Sequence, residues 1–360
     1  MDRSMIDRFD GSKKLKINDR IPVTVYKNYS FPLAIICTDE GSAQWINNHF
    51  SNVYLMHDVA GYIWYDFLEP GDFFGDVLEQ DFIKLDEICK YDIIDLIEKT
   101  ISDDKYVTVF LDDFFVKSTA DYGKEHAASE FFIYGFNRET RIFNGFNFND
   151  QNILTLVEHS YDEVQMAHKS LFMGHEEFRK LPVWVHWYAF SSISKKNVSC
   201  SCDVDSMIDE IRDYNGSKIK TERLRSEIIE ERGSDAIYGA ATMRALVDAL
   251  YSLLDDKCYI DYRHIHLACE HKRLMNEKLR YLSGIFQGLD DLTDEYADII
   301  RRMEICRMYY IKGVVASGLY SQLKNEKVIK KIIGVLESII TDERSVLDKF
   351  IDRIESIDKK

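Results

Sequence analysis

Three side chains in the first half of the chain have types and spacings that suit covalent chemistry. Cys37 ends the apolar run PLAII and is followed by Thr38-Asp39-Glu40-Gly41. Thr38 or Asp39 can cap a helix, and Glu40 favours its first turn, so the thiol is expected at a helix N-terminus. There the positive end of the dipole favours thiolate. The plainer alternative is a small buried hydrophobe at a strand–helix junction. His126 closes the stretch Asp121-Tyr-Gly-Lys-Glu-His126, just ahead of the strand-like SEFFIYGFN, and Asn144 lies in RIFNGF on the next strand. Neighbouring strands would bring Asn144 beside the imidazole. A thiolate that attacks, an imidazole that moves the proton and a polar group that fixes its tautomer are the parts of cysteine-dependent acyl transfer. Taken alone, His126 reads equally well as a loop histidine bonded to backbone.

A second group is acidic. Asp112 and Asp113 close an apolar strand-like run, and Asp121 and Glu125 follow in the loop before His126. Together they suit a polyamine or an amino sugar; a solvated acidic loop is the alternative. Other chemistries lack their motifs. The chain has no G-x-G-x-x-G or G-x-x-x-x-G-K-[ST] phosphate loop and no G-x-S-x-G elbow. His264, His266, Glu270 and His271 lie close together in HIHLACEH, which is not HExxH, and read as a hydrogen-bonded cluster between helices rather than a metal site.

The elements that must hold these groups differ between the halves. VYLMH (53–57), 105–116, 129–137 and 140–148 carry β-branched and aromatic residues over strand lengths, the last two joined by a short polar turn. Residues 83–101 have helical spacing, and Ser160 with Glu163 forms a capping-box pattern ahead of another helix. WVHWYAF (184–190) reads as a buried strand, with Trp184, Trp187 and Tyr188 in the core. From residue 203 only amphipathic helical segments follow, at 203–231, 235–255, 262–286, 290–318 and 325–357. The polar stretch 192–202 is the expected boundary.

Charge is distributed as unevenly as structure. The formal net charge is −16; residues 1–200 hold 20 basic and 32 acidic side chains, residues 201–360 hold 26 and 30. Such a surface repels nucleic acid and anionic membranes, and its acidic half favours cationic small molecules. The seven cysteines are thinly spread with no structural-zinc spacing, the N-terminal stretch lacks the apolar core of a signal peptide, and no apolar run reaches membrane-span length. A cytoplasmic protein with reduced thiols is expected.

Three segments, FPLAIICTDEGSAQWINNHFSNVYL, VFLDDFFVKSTADYGKEHAASEFFIYGFN and DYRHIHLACEHKRLMNEKL, carry a resemblance. An early cysteine, a histidine opening a strand that ends in Tyr134-Gly135, and an asparagine nine residues beyond resemble the papain-like cysteine proteases. Within that group the chain is most similar to papain-fold transacylases of thiotemplated natural-product assembly. The resemblance implies an α+β papain-like cysteine protease fold over residues 1–200 and an all-α helical domain over 201–360. It implies an acyltransferase that takes an acyl group from the phosphopantetheine thioester of an acyl or peptidyl carrier protein. The acyl group then passes through Cys37 to an amine or diamine, with no cofactor held by this chain. Cys37 would be the nucleophile, His126 the general acid/base and Asn144 the orienting group, with Asn147 and Asp150 as alternatives. Lys27-Asn-Tyr-Ser-Phe-Pro lacks the glutamine that papain-type proteases use in the oxyanion hole; Asn28 or the Cys37 amide would have to serve. Lys327, Lys330, Lys331, Arg301 and Arg302 are the expected docking cations for an acidic carrier. The rival readings are a cytoplasmic cysteine peptidase or amidase, and a catalytically inactive papain-like binding protein.

Overall fold

The computed structural model describes residues 11–39, 41–57, 62–69, 72–174, 178, 181, 183–218, 236–255, 257–317 and 323–358. The chain opens with β1 (Ser12–Lys14), α1 (Lys27–Ile36), α2 (Ser42–Asn47), β2 (Val53–His57), β3 (Ile63–Phe67) and β4 (Leu78–Ile83). Next come α3 (Leu85–Ile88), α4 (Ile93–Ser102), β5 (Tyr106–Asp112), β6 (Ala128–Asn137), β7 (Ile142–Phe148) and β8 (Leu154–Ser160). After α5 (Tyr161–Ser170), α6 (Val183–Trp187), β9 (Phe190–Lys195), α7 (Val204–Asn215) and β10 (Ile237–Tyr238), the chain is helical. Its last elements are α8 (Ala241–Leu254), α9 (Tyr262–Ile285), α10 (Asp290–Ser317) and α11 (Glu326–Asp358).

These elements form two compact units, Met1–Glu40 with Phe74–Val198, and Gly41–Phe73 with Ser199–Lys360. The expected division into 1–200 and 201–360 therefore needs correction, because residues 41–73 join the helical part. The reason is local pairing. β2 takes β10 on one side and β3 on the other, and the α9 side chains His271 and Lys278 bond to carbonyls of residues 46–51.

The first unit is built on an antiparallel sheet in the order β4-β9-β5-β6-β7-β8, with β1 added to β6. β6 alternates its side chains. Phe131 and Ile133 join Val107, Val109 and Leu111 in a core with Ile97 and Ile101 of α4 and Val164 and Ala167 of α5. Phe132 points the other way and stacks on Phe31 of α1, ring centroids 5.4 Å apart. Helix α1 is buried from Tyr29 to Ile36, so it has no polar face. Without such a face, helical periodicity vanishes, and PLAII reads as a strand when only its pattern is seen.

Several local expectations hold. The β6–β7 hairpin turns through Asn137, whose Oδ1 accepts from the Thr140 amide at 3.0 Å. Ser160 and Glu163 form the capping box of α5. Others need correction. The segment 83–101 breaks into α3 and α4 because Asp92 caps a new helix, accepting from Ile94 N–H and Asp95 N–H. WVHWYAF is not a strand: residues 183–187 are helical and β9 starts only at Phe190. Trp187 is 50% exposed beneath the Lys84 ammonium, and Tyr188 is 45% exposed beside Phe82, so neither is core.

The second unit carries the three-stranded sheet β10-β2-β3 and the helices from α7 onward, all-α after β10. The latter part of the expected helix 203–231 lies outside the described residues. Among those described, no helix is long and apolar enough to cross a membrane.

Candidate functional site

Helix α1 decides where the chemistry can be. It spans Lys27–Ile36, and Cys37 is its C-cap, donating its amide to Leu33 O. The thiol therefore sits at the negative end of the helix dipole, opposite in sign to the expected placement, and the stated reason for a stabilised thiolate is gone. Its surroundings belong to the far end of the sheet. Asn18 Nδ2 donates to Cys37 O, Lys195 Nζ donates to Ile36 O at 3.1 Å, and Lys16 Nζ donates to Thr38 O. Lys195 lies two residues past Ile193, the partner of Tyr106 at the start of β5.

His126 lies at the other end of that strand. Its Nδ1 is 2.7 Å from Oδ2 of Asp112, the last residue of β5. Six strand steps separate Tyr106 from Asp112, about 20 Å at the usual rise. A helix of α1's length spans about 15 Å. Cys37 and His126 are thus held at opposite ends of α1 and β5, and the expected thiol–imidazole pair does not form.

Asn144 is not the orienting group either. It pairs with Gly135 on β6 and Glu158 on β8, seven strand residues beyond Ala128. Gly135 eases the close approach there, since a Cβ would lie 2.9 Å from Asn144 Oδ1 and 3.1 Å from Lys13 O and would force both to shift. Asn147 has a structural task. The β6–β7 register shifts between Ile133 and Gly135, and the Asn147 amide closes the gap by accepting from Phe132 N–H and donating to Phe132 O. Asp150 is exposed in the turn after β7.

The group that orients His126 is Asp112. This carboxylate is fully buried and also accepts from Ser170 Oγ at 2.6 Å and from the Phe114 amide at 3.1 Å. With three donors already on it, Asp112 is a positioning residue and not the expected amine ligand. Phe114 stacks on the imidazole at 4.3 Å and fixes its plane. The result is a buried carboxylate holding one nitrogen of a partly exposed imidazole, an arrangement that suits a general base.

Asp113 faces a different set. Its Oδ2 accepts from Ser129 Oγ at 2.5 Å, while Oδ1 has no partner. Burial pushes its carboxyl up to about 6, against the pull of the Lys27 ammonium. Lys27, the first residue of α1, donates to Glu130 O at 2.9 Å and lies over the Phe131 ring. Desolvation lowers its pKa, with Asp113 and Glu130 opposing. The Glu130 carboxyl is raised by the same desolvation. Asp121 is half-buried and Glu125 exposed in the loop that leads to His126. Sequence reasoning missed Lys27, Ser129 and Ser170. The available signal was their setting, a lysine heading a helix that is apolar from Phe31 onward and a Ser-Glu pair opening the apolar run FFIYGF.

The remaining candidates resolve into structural roles. His266 Nε2 meets Glu270 Oε1 at 3.0 Å, and His271 Nε2 meets Ser51 O at 3.0 Å. His264 Nδ1 accepts from the Asp261 amide to complete a capping box. Among the described residues, no group of three or more His, Cys, Asp or Glu side chains is placed to hold a metal ion. Of the expected docking cations, Lys330 pairs with Glu326, and Arg301 and Arg302 both pair with Asp298. No disulfide joins any of the seven cysteines. No protein-family model matches the chain, and no curated protein matches it.

Proposed function

We propose that this protein is an amide-forming acyltransferase on a papain-like frame in which His126, not Cys37, carries the chemistry. The acyl donor is a thioester on the phosphopantetheine arm of a carrier protein, and the setting is the cytoplasm, where such carriers act. An amine attacks the thioester carbonyl, the carbon–sulfur bond breaks and the pantetheine thiolate leaves. His126 takes the proton from the attacking nitrogen and returns it to the departing sulfur. Asp112 holds Nδ1, so that Nε2 presents the lone pair. A thioester is already activated, which makes direct attack by a deprotonated amine feasible without an acyl-enzyme. The observation that carries this reading is the 2.7 Å contact between His126 Nδ1 and the buried Asp112. The papain-like frame is supported by α1 packed on an antiparallel sheet whose β6 follows directly on the histidine.

The test is amide formation from a loaded acyl carrier and a panel of amines, followed by mass spectrometry. His126→Ala should lower the rate by roughly 10²–10⁴-fold, and Cys37→Ala should leave it near wild type. A hydroxylamine-labile acyl adduct that disappears in Cys37→Ala would overturn the direct route. A second reading, a non-catalytic binding protein, is favoured by the placement of Cys37 at the far end of α1 from His126. It is the correct one if no donor and amine give product, or if His126→Ala turns over as fast as wild type.

A further inference from the structure

The end of the first unit that holds His126 also holds polar groups whose bonding capacity is unspent. Lys27 Nζ has three donors, and among the described residues it makes one hydrogen bond, to Glu130 O. Lys27 and Asp113 feel each other electrostatically without forming an ion pair. Asp113, 7% exposed, leaves Oδ1 without a partner. Ser30, in the first turn of α1 and fully buried, leaves its hydroxyl without one. The α1 N-terminus has no side-chain cap; Tyr29 and Ser30 donate their amides to Tyr26 O, and the Lys27 and Asn28 amides head the helix beside the Lys27 side chain. The unpaired oxygen of the buried Asp113 is costly to leave without a donor, and the half-buried Lys27 ammonium beside it has donors to spare.

The two poles differ in sign and lie on neighbouring elements, Lys27 with the helix N-terminus on one side and Asp113 on the other. A diamine would satisfy Asp113 and be repelled by Lys27. A simple carboxylate would satisfy Lys27 and meet Asp113. A molecule with an ammonium and a carboxylate on one short backbone satisfies both. We propose that this end of the unit is a binding site for a free amino acid, its carboxylate on Lys27 and the α1 N-terminus and its amino group on Asp113. The inference rests on the reading above for its chemical purpose, since it identifies the attacking amine as an α-amine brought to the His126 end of β5.

Binding can be measured without any acyl donor. The full-length protein is titrated by calorimetry and thermal shift with the twenty L-amino acids, with putrescine and with acetate. At least one amino acid should bind saturably, while putrescine and acetate should not. Lys27→Met and Asp113→Asn should each weaken that binding tenfold or more, and Lys27→Arg should retain it. Circular dichroism of each variant separates lost binding from lost fold; if Lys27→Met does not fold, Lys27→Gln and Asp113→Asn decide. The proposal is overturned if no amino acid binds, if putrescine binds as tightly as the best amino acid, or if both charge-removing variants bind like wild type. Acyl transfer to another amine with no amino-acid binding would sink this inference alone. Amino-acid binding without any transfer would keep the site and remove the reaction.

Discussion

Each unit draws a lysine out of bulk water, fully buried in the helical unit and half-buried in the sheet-based one, and the two treat it in opposite ways. In the helical unit Lys278 is fully buried, and its ammonium donates to Ile46 O, Asn47 O and His49 O, the carbonyls at the end of α2. It acts as a cationic C-cap with every donor used. Lys272, also fully buried, is paired with Glu343 at 2.8 Å and bonded to Tyr214 Oη, and Tyr296 Oη donates to the same carboxylate. In the sheet-based unit Lys27 spends one donor of three and interacts electrostatically with Asp113, whose Oδ1 has no partner. A saturated buried charge is architecture; a half-buried, unsaturated one at a helix start, near an unpaired buried carboxylate oxygen, is where a ligand belongs.

The largest effect expected from this contrast is on the helical unit. Lys278→Met removes three bonds and leaves the α2 carbonyls orphaned in the interior. It should cost about 3–5 kcal/mol, read by urea denaturation; a loss below 1 kcal/mol would erase the distinction. A smaller effect is expected at Asp113. Its folded carboxyl titrates near 6, against an ordinary value of 3.8. The folded state thus takes up this proton before the unfolded state does, and its contribution to stability is present below about 4 and lost as pH rises through 6. The groups facing it are Lys27 of α1, Ser129 on β6, and Asp112 and Asp121. Between pH 7.5 and 4 wild type should gain on Asp113→Asn by about 2 kcal/mol. Parallel pH profiles of the two proteins would refute the assignment. The least effect falls on Lys27→Met, which should change stability by no more than about 1 kcal/mol because little bonding is lost. A penalty as large as that of Lys278→Met would make Lys27 structural too.

How far the sequence could be read follows from which patterns survive burial. β2 matches VYLMH residue for residue, β5 and β7 fall within their expected ranges and β6 exceeds its own by one residue, because strands with a β-branched and aromatic content keep their signature. The long helices α8 to α11 keep an amphipathic face and were legible for the same reason. Helix α1 was not, since burial on every side removes the polar stripe that marks a helix. That single misreading moved Cys37 from the end of a helix to the start of one. His126 lies against Asp112 and not against the expected Asn144. Asp112 looked like a surface carboxylate because it stands next to Asp113 and near Asp121, yet it closes a strand buried along its whole length. The preference for Asn144 rested on adjacency of strands and ignored the distance along them.

The return of residues 41–73 to the helical unit has a consequence for how the chain is made. Its partners β10 and α9 lie beyond residue 199 and are still untranslated when the segment leaves the ribosome. At roughly 5–20 residues per second, the wait is on the order of ten seconds. For that interval Trp45, Phe50, Val53 and Leu55, all buried in the finished unit, can pack only within their own segment, against Phe67, Phe73 and strand β3. The sheet-based unit, by contrast, has all its strands once β9 is complete. During synthesis the first unit can close while a hydrophobic loop of its own chain is still unhoused, which makes that loop the natural target for a chaperone.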